Sequence, residues 1–168
     1  SDAETLCRLA KSAGMLVIMD AVTSLAGIDL KADAWGADVV YSGTQKCLSG
    51  LPGISPITFS DDAVSAIQAR TQKVQSWFLD MNLIMGYWGE GAKRAYHHTA
   101  PVNAIYALHE ALLMLEEESL EASIARHQDN HVTLAAGLSK LGLDLAVSEP
   151  WRLPQLNSVL IPQGIDDA

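Results

Sequence analysis

Apolar and polar positions along this chain keep switching between helical and strand spacing. Residues 1–13 carry Leu6, Leu9, Ala10 and Ala13 on one helical stripe. Ser1 and Glu4 stand as a capping box at its start, and Gly14 stands as its stop. The apolar run 15–19 follows at once and predicts a strand ending at Asp20. A helix, a glycine turn and a continuously apolar strand are the marks of a sheet covered on both faces. Residues 29–36 read as a polar connection containing Trp35, and the β-branched run 38–42 predicts a second buried strand. Gly50-Leu-Pro-Gly53 is a turn, and 54–59 reads as a third strand. Pro56 removes a ladder donor there, so that strand lies at an edge or is interrupted. Ser60, Asp61 and Asp62 open a helix of about ten residues, a hydroxyl cap followed by acids at the positive end of the dipole.

The second half changes character. Residues 74–91 hold Trp77, Phe78, Tyr87 and Trp88 with Gly86, Gly89 and Gly91, a composition that suits an active-site mouth, a subunit contact or plain core packing. A helix is predicted over 105–118, with Ile105, Leu108, Leu112 and Leu115 on one face. A second is predicted over 120–141, with Leu120, Ile124, Leu134, Leu138 and Leu141 inward and Gly142 closing it. Residues 143–147 and 157–161 read as strands around a Pro/Trp/Arg connection. The α/β pattern therefore gives way to helix-then-strands. This places a domain boundary at 118, with units 1–118 and 119–168. The chain starts at Ser1 and stops just past a strand, so both ends are expected to be cuts through loops of something longer.

Composition narrows the function classes. Of 168 residues 49% are apolar, enough for a proper core. The net charge of −9 argues against a nucleic-acid partner, which calls for a basic face. No apolar run approaches the length of about 18 residues that a membrane span requires. Cys7 and Cys47 lack zinc-ligand spacing, and a reducing compartment is the simpler inference. Cys47 reads as a packing residue rather than a nucleophile. His97 and His98 are adjacent, without the Cys/His partners that complete a zinc set. His127 and His131 share a helix face, where a polar surface pair outweighs a metal pair.

The candidate chemistry lies beyond the two strands. Asp20 ends the first, and Lys46 follows the second in an otherwise uncharged stretch. In open parallel sheets ligands sit beyond the carboxyl ends of the strands. An acid and an amine at neighbouring strand ends suit pyridoxal 5'-phosphate: the lysine forms a Schiff base with the aldehyde, and the aspartate holds the protonated ring nitrogen. A simple salt bridge at the strand ends fits the same spacing. Ser24 and Thr23 lie near enough in sequence to reach a ligand there, and Tyr96 and Thr99 carry hydroxyls suited to a phosphate.

Four segments occur in order: Leu16-Val-Ile-Met-Asp-Ala-Val-Thr-Ser-Leu25, Tyr41-Ser-Gly-Thr-Gln-Lys-Cys-Leu48, Pro52-Gly53 and Tyr96-His-His-Thr-Ala-Pro101. Together they closely resemble the class V aminotransferases, nearest to the alanine–glyoxylate and serine–glyoxylate (serine–pyruvate) branch. The resemblance implies an α/β fold, the large domain of a fold-type I pyridoxal-phosphate transferase with a mostly parallel sheet flanked by helices. The start of a small α+β C-terminal domain would follow. It implies a homodimer acting on a small amino acid and a 2-oxo acid, in the cytoplasm or, in a eukaryote, the peroxisome. Carried over, Lys46 is the Schiff-base lysine and Asp20 the partner of the ring nitrogen. Gln45 and Ser24 belong to the cofactor pocket. Tyr96 and Thr99 reach the cofactor phosphate of the neighbouring subunit, which leaves His97 and His98 structural. The family's phosphate loop and ring-stacking aromatic are expected upstream of Ser1, and its carboxylate-binding arginine downstream of Ala168. Pro56 departs from what the resemblance leads one to expect in that strand.

Three other readings stay open. One is a sister enzyme of the same fold, such as a ureidoglycine–glyoxylate aminotransferase or a cysteine desulfurase. Another is a folded but inert fragment or dimerisation module. A dinucleotide-binding domain carries least weight, because no Gly-x-Gly-x-x-Gly follows a strand.

Overall fold

The computed structural model describes residues 2–88 and 95–166. Ser1, Gly89 and Gly91, which entered the reading of the sequence, lie outside the described residues. Three strands form one sheet: β1 (Ile18–Asp20), β2 (Val39–Tyr41) and β3 (Ile57–Phe59), in the order β1-β2-β3. β1 and β2 run parallel, and β3 is antiparallel to β2. Among the described residues six α-helices accompany them: α1 (Ala3–Ser12), α2 (Ala32–Trp35), α3 (Asp61–Gln68), α4 (Met81–Trp88), α5 (Val102–Glu118) and α6 (Leu120–Lys140).

The local signals were largely obeyed, with instructive exceptions. α1 is capped by Asp2, whose carboxylate accepts from Thr5 N at 3.0 Å. Gly14 ends it at φ +73°, a left-handed conformation that glycine adopts without penalty. The polar connection between the first two strands contains the one-turn α2. β3 starts directly after Pro56, whose carbonyl still accepts from Ser42 N at 2.9 Å. The interruption that proline imposes is therefore real, and it is confined to the strand's entry.

The strands are shorter than the apolar runs because side chains take over the pairing at one end. Asp38, 3% exposed, accepts from Val17 N at 2.7 Å, from Lys11 Nζ at 2.8 Å and from Ser60 Oγ at 2.9 Å. Its backbone bonds Val17 O and Ser60 N as well. One carboxylate thus ties α1, the lead into β1, the start of β2 and the cap of α3. Burial pushes the Asp38 carboxyl up, but the Lys11 ammonium, the Val17 N–H and the Ser60 hydroxyl together outweigh it and hold it below its ordinary value.

Ala21, Ala37 and Val40 form the buried centre, with Met19, Leu25, Leu30 and Ala32 packed around them. The expected burial of both sheet faces is not met among the described residues: Leu16 is 51% and Ile18 70% exposed. α6 also departs from its expected stripe. Leu120, Leu134 and Leu141 are exposed, whereas Ser123 and His131 are buried. Ser123 Oγ donates to Ala26 O at 3.1 Å, and His131 Nδ1 meets Asn157 Oδ1 at 2.6 Å. Polar contacts to the first half and to the C-terminal segment, not leucine packing, set which face turns inward. His131 is accordingly no surface residue. α5 and α6 part at Ser119 (φ +71°), whose hydroxyl accepts from Ala122 N at 3.2 Å. The two strands expected over 143–147 and 157–161 reduce to a single antiparallel bridge, Leu145 with Val159, flanked by Ala146 N to Ser158 O (2.9 Å) and Leu160 N to Asp144 O (2.8 Å). Among the described residues no helix is long and apolar enough to cross a membrane.

Candidate active site

Parallel pairing puts Asp20 of β1 beside Tyr41 of β2. Paired residues in neighbouring strands point to the same face. The Tyr41 hydroxyl accordingly donates to Asp20 Oδ2 at 2.9 Å. The chain then turns sharply, and Val22 N donates to Asp20 Oδ1 at 2.8 Å. Both carboxylate oxygens are held, and each keeps room for a further donor. The Asp20 bond pushes the Tyr41 phenol above its ordinary value, with burial adding to the effect. The turn continues through Ser24, whose carbonyl accepts from Gly27 N at 3.0 Å and Ile28 N at 3.1 Å.

A cavity of about 450 Å³ opens beside this turn. Asp20, Thr23 and Ser24 supply its polar side, and Val22, Trp35, Leu153 and Leu156 are among its apolar walls. Leu153 and Leu156 belong to the C-terminal connection, which folds back over the first half.

Lys46 and Gln45 lie on the neighbouring turn after β2, and both are exposed. Thr44, fully buried, closes that turn: its hydroxyl donates to Leu51 O, and its carbonyl accepts from Gly50 N at 2.8 Å. Neither Lys46 nor Gln45 lines the cavity. Asp20 and Lys46 form no ion pair with each other or with any described residue, so the salt-bridge reading fails.

The two turns are stitched from beneath. Cys47 Sγ donates to Thr23 O at 3.4 Å, and burial raises its thiol. A methyl group added at Gly27 would sit 2.8 Å from Cys47 Sγ and 3.0 Å from Gln155 Cγ, so any side chain there would push the Cys47 and Gln155 side chains aside. Ala26, at φ +68°, is held in this strained turn by Ser123 of α6. Cys47 is a packing residue, as its sequence context suggested, and Cys7 is buried.

Tyr96 and Thr99 stand apart from the cavity. Their hydroxyls bond each other at 2.6 Å on an exposed segment. His97 is buried, stacked on Trp77 with ring centroids 4.0 Å apart, and its ring nitrogens meet Trp77 O at 3.0 Å and His98 Nδ1 at 2.7 Å. Among the described residues no group of three or more His, Cys, Asp or Glu is placed to hold a metal ion. The structure therefore brings Asp20 and Ser24 to one cavity, sets Lys46 and Gln45 on the adjoining turn, and leaves Tyr96 and Thr99 elsewhere. Reading the sequence missed Tyr41, whose only signal is its register opposite Asp20, and the C-terminal wall, which carries no local signal.

The sequence profile described as aminotransferase class-V matches residues 1–161. This chain belongs to the class-V aminotransferase family. It is 45% identical over 149 residues to alanine–glyoxylate aminotransferase of Oryctolagus cuniculus, covering 88% of this chain and 38% of that protein. It is 34% identical to (S)-ureidoglycine–glyoxylate transaminase of Bacillus subtilis, covering 90% of this chain and 40% of that protein. The crystal structure of alanine–glyoxylate aminotransferase from Nostoc sp. superposes with a TM-score of 0.89 at 46% identity, covering 96% of this chain and 42% of that one. The chain thus spans about two fifths of the length of the relatives it matches. Its fold is that of the fold-type I pyridoxal-phosphate transferases. The family and fold imply pyridoxal phosphate, and the donor set fits it: a doubly held carboxylate with accepting capacity left, hydroxyls beside it, and a primary amine free of counter-charge among the described residues.

Proposed function

We propose that this chain carries the catalytic lysine of a pyridoxal-phosphate-dependent aminotransferase, which moves an amino group from alanine or serine to a 2-oxo acid such as glyoxylate. One observation carries the reading. Asp20 and Lys46 follow adjacent parallel strands, and neither is neutralised by the other or by any described neighbour. Both side chains are exposed beyond the carboxyl ends of the strands, the place where open α/β sheets bind ligands, and both are left available to one.

When bound, pyridoxal phosphate supplies an aldehyde for an amine and a ring that takes up the charge left by a departing α-proton. Lys46 Nζ would hold the cofactor and, when free, would be the base that takes the α-proton and returns it. The Asp20 carboxylate would hold the proton at the ring nitrogen. Ser24 and Gln45 would hold the cofactor from the two turns. Tyr96 and Thr99 serve the phosphate in the neighbouring subunit of a homodimer, which accounts for their distance from the Asp20 cavity.

The relatives favour alanine–glyoxylate exchange, and the Bacillus subtilis relative supports ureidoglycine as the alternative donor. Within this chain Cys7 is buried and Cys47 half-buried, so neither is the exposed nucleophile a desulfurase uses.

The test uses the protein expressed from its whole reading frame. Incubation with pyridoxal phosphate, borohydride reduction and peptide mapping are expected to leave the cofactor's mass on Lys46, and alanine, serine and ureidoglycine are then compared as donors. Label on another lysine, or none, overturns the reading. Asp20→Ala is expected to weaken cofactor retention by about tenfold or more, the worth of a hydrogen bond to a charged group, and to slow α-proton exchange. Dialysis against apoenzyme and deuterium wash-out check both.

A further inference from the structure

We propose that Tyr41 is a positioning residue for the cofactor, fixing the Asp20 carboxylate in the orientation that meets the ring nitrogen. The inference rests on the cofactor reading above and names a group that reading does not contain.

Three observations carry it. First, the contact is built by register and not by a flexible arm. Asp20 and Tyr41 are paired residues of β1 and β2, and Ala21 N donates to Tyr41 O at 2.9 Å. Second, the strand cannot slip. Ser42, next in sequence and 2% exposed, donates its hydroxyl to Ala21 O at 2.9 Å, while Asp38 at the other end of β2 bonds Val17 through both backbone and side chain. Third, the two donors divide the carboxylate. Val22 N takes Oδ1 and the phenol takes Oδ2, so the group cannot rotate about its Cβ–Cγ bond without losing both. Catalytic groups are most effective when neighbouring bonds have already set their geometry.

Tyr41→Phe removes one oxygen and keeps the ring. The variant, Asp20→Asn and the double variant are compared in the protein expressed from its whole reading frame. Without cofactor, tyrosinate absorbance is followed in alkaline titration. Wild type is expected to show a late-titrating tyrosine, absent in Tyr41→Phe and returned toward its ordinary value near 10 in Asp20→Asn. With cofactor, Tyr41→Phe is expected to bind pyridoxal phosphate roughly three- to tenfold more weakly, the worth of one hydrogen bond, and to shift the pH dependence of the bound cofactor's absorbance. In the Asp20→Asn background the same change is expected to have little effect, because the two act as one unit. Unaltered affinity and spectrum in Tyr41→Phe, or an equal effect of the change with and without Asp20, overturns the proposal. These outcomes are separable from failure of the cofactor reading, which shows as absence of borohydride label on wild-type Lys46.

Discussion

Lys46→Ala is expected to reduce amino transfer by about a thousandfold or more while leaving the fold in place. Loss of a positioned acid–base group alone costs some 10²- to 10⁴-fold, and loss of the covalent anchor adds to it. Lys46 is exposed on the turn after β2, and no ion pair with a described residue is lost with it. The thermal midpoint of the cofactor-free protein therefore stays close to wild type, as for most surface substitutions. Lys46→Arg sharpens the test. A guanidinium keeps the charge but does not surrender its proton near neutrality, nor does it form the carbon–nitrogen bond an amine makes with an aldehyde. If Lys46 acts through covalent and proton chemistry, arginine fails as alanine does. If it acts as a fixed charge, arginine retains much of the rate, and the proposed role is wrong. Single-turnover kinetics with alanine, followed by release of pyruvate, distinguishes the two.

Asp38→Ala is expected to have the largest effect on stability. Three donors converge on a carboxylate that is 3% exposed, and two backbone bonds flank it. Alanine leaves the Val17 N–H without its acceptor and Lys11 with Asp62 alone, at 3.3 Å. Breaking a buried pair from one side costs about 3–5 kcal/mol, and Lys11 keeps a third of its side chain in water, so a loss of about 2–3 kcal/mol is expected. That corresponds to a fall in Tm of about 5–10 °C in a domain of this size. The acid limb tests the same contact. The Asp38 carboxyl lies below its ordinary value of 3.8 in the folded state. Its contribution is therefore complete above that value and is lost as pH falls through the lower folded value. Wild type and Asp38→Ala should converge in stability over that acid range and differ fully at pH 7. Urea midpoints at both ends of the range measure this, and a constant difference would mean that the charge on Asp38 contributes nothing.

Much of the first half was legible because its signals are local. Gly14 and Ser60 act through their own φ or their own side chain, so neighbouring residues suffice to place them. Asp20 and Lys46 were visible as charged residues at the ends of apolar runs. The C-terminal third was harder. His131 and Ser123 are buried because of partners 26 and 97 residues away, which no helical period reports. The leucines of α6 were misplaced for the same reason. Two strands shrank to one bridge, since pairing depends on a partner's position and not on β-propensity alone.

The sequence by itself determined the type and order of most elements and the family. These depend on side-chain identity and on spacing within a single turn or strand. Only the tertiary structure decided that Tyr41 holds Asp20, that Asp38 joins four segments, and that Leu153 and Leu156 wall the cavity. Each of those rests on strand register or on a return of the chain across many residues, where geometry in space selects the partner.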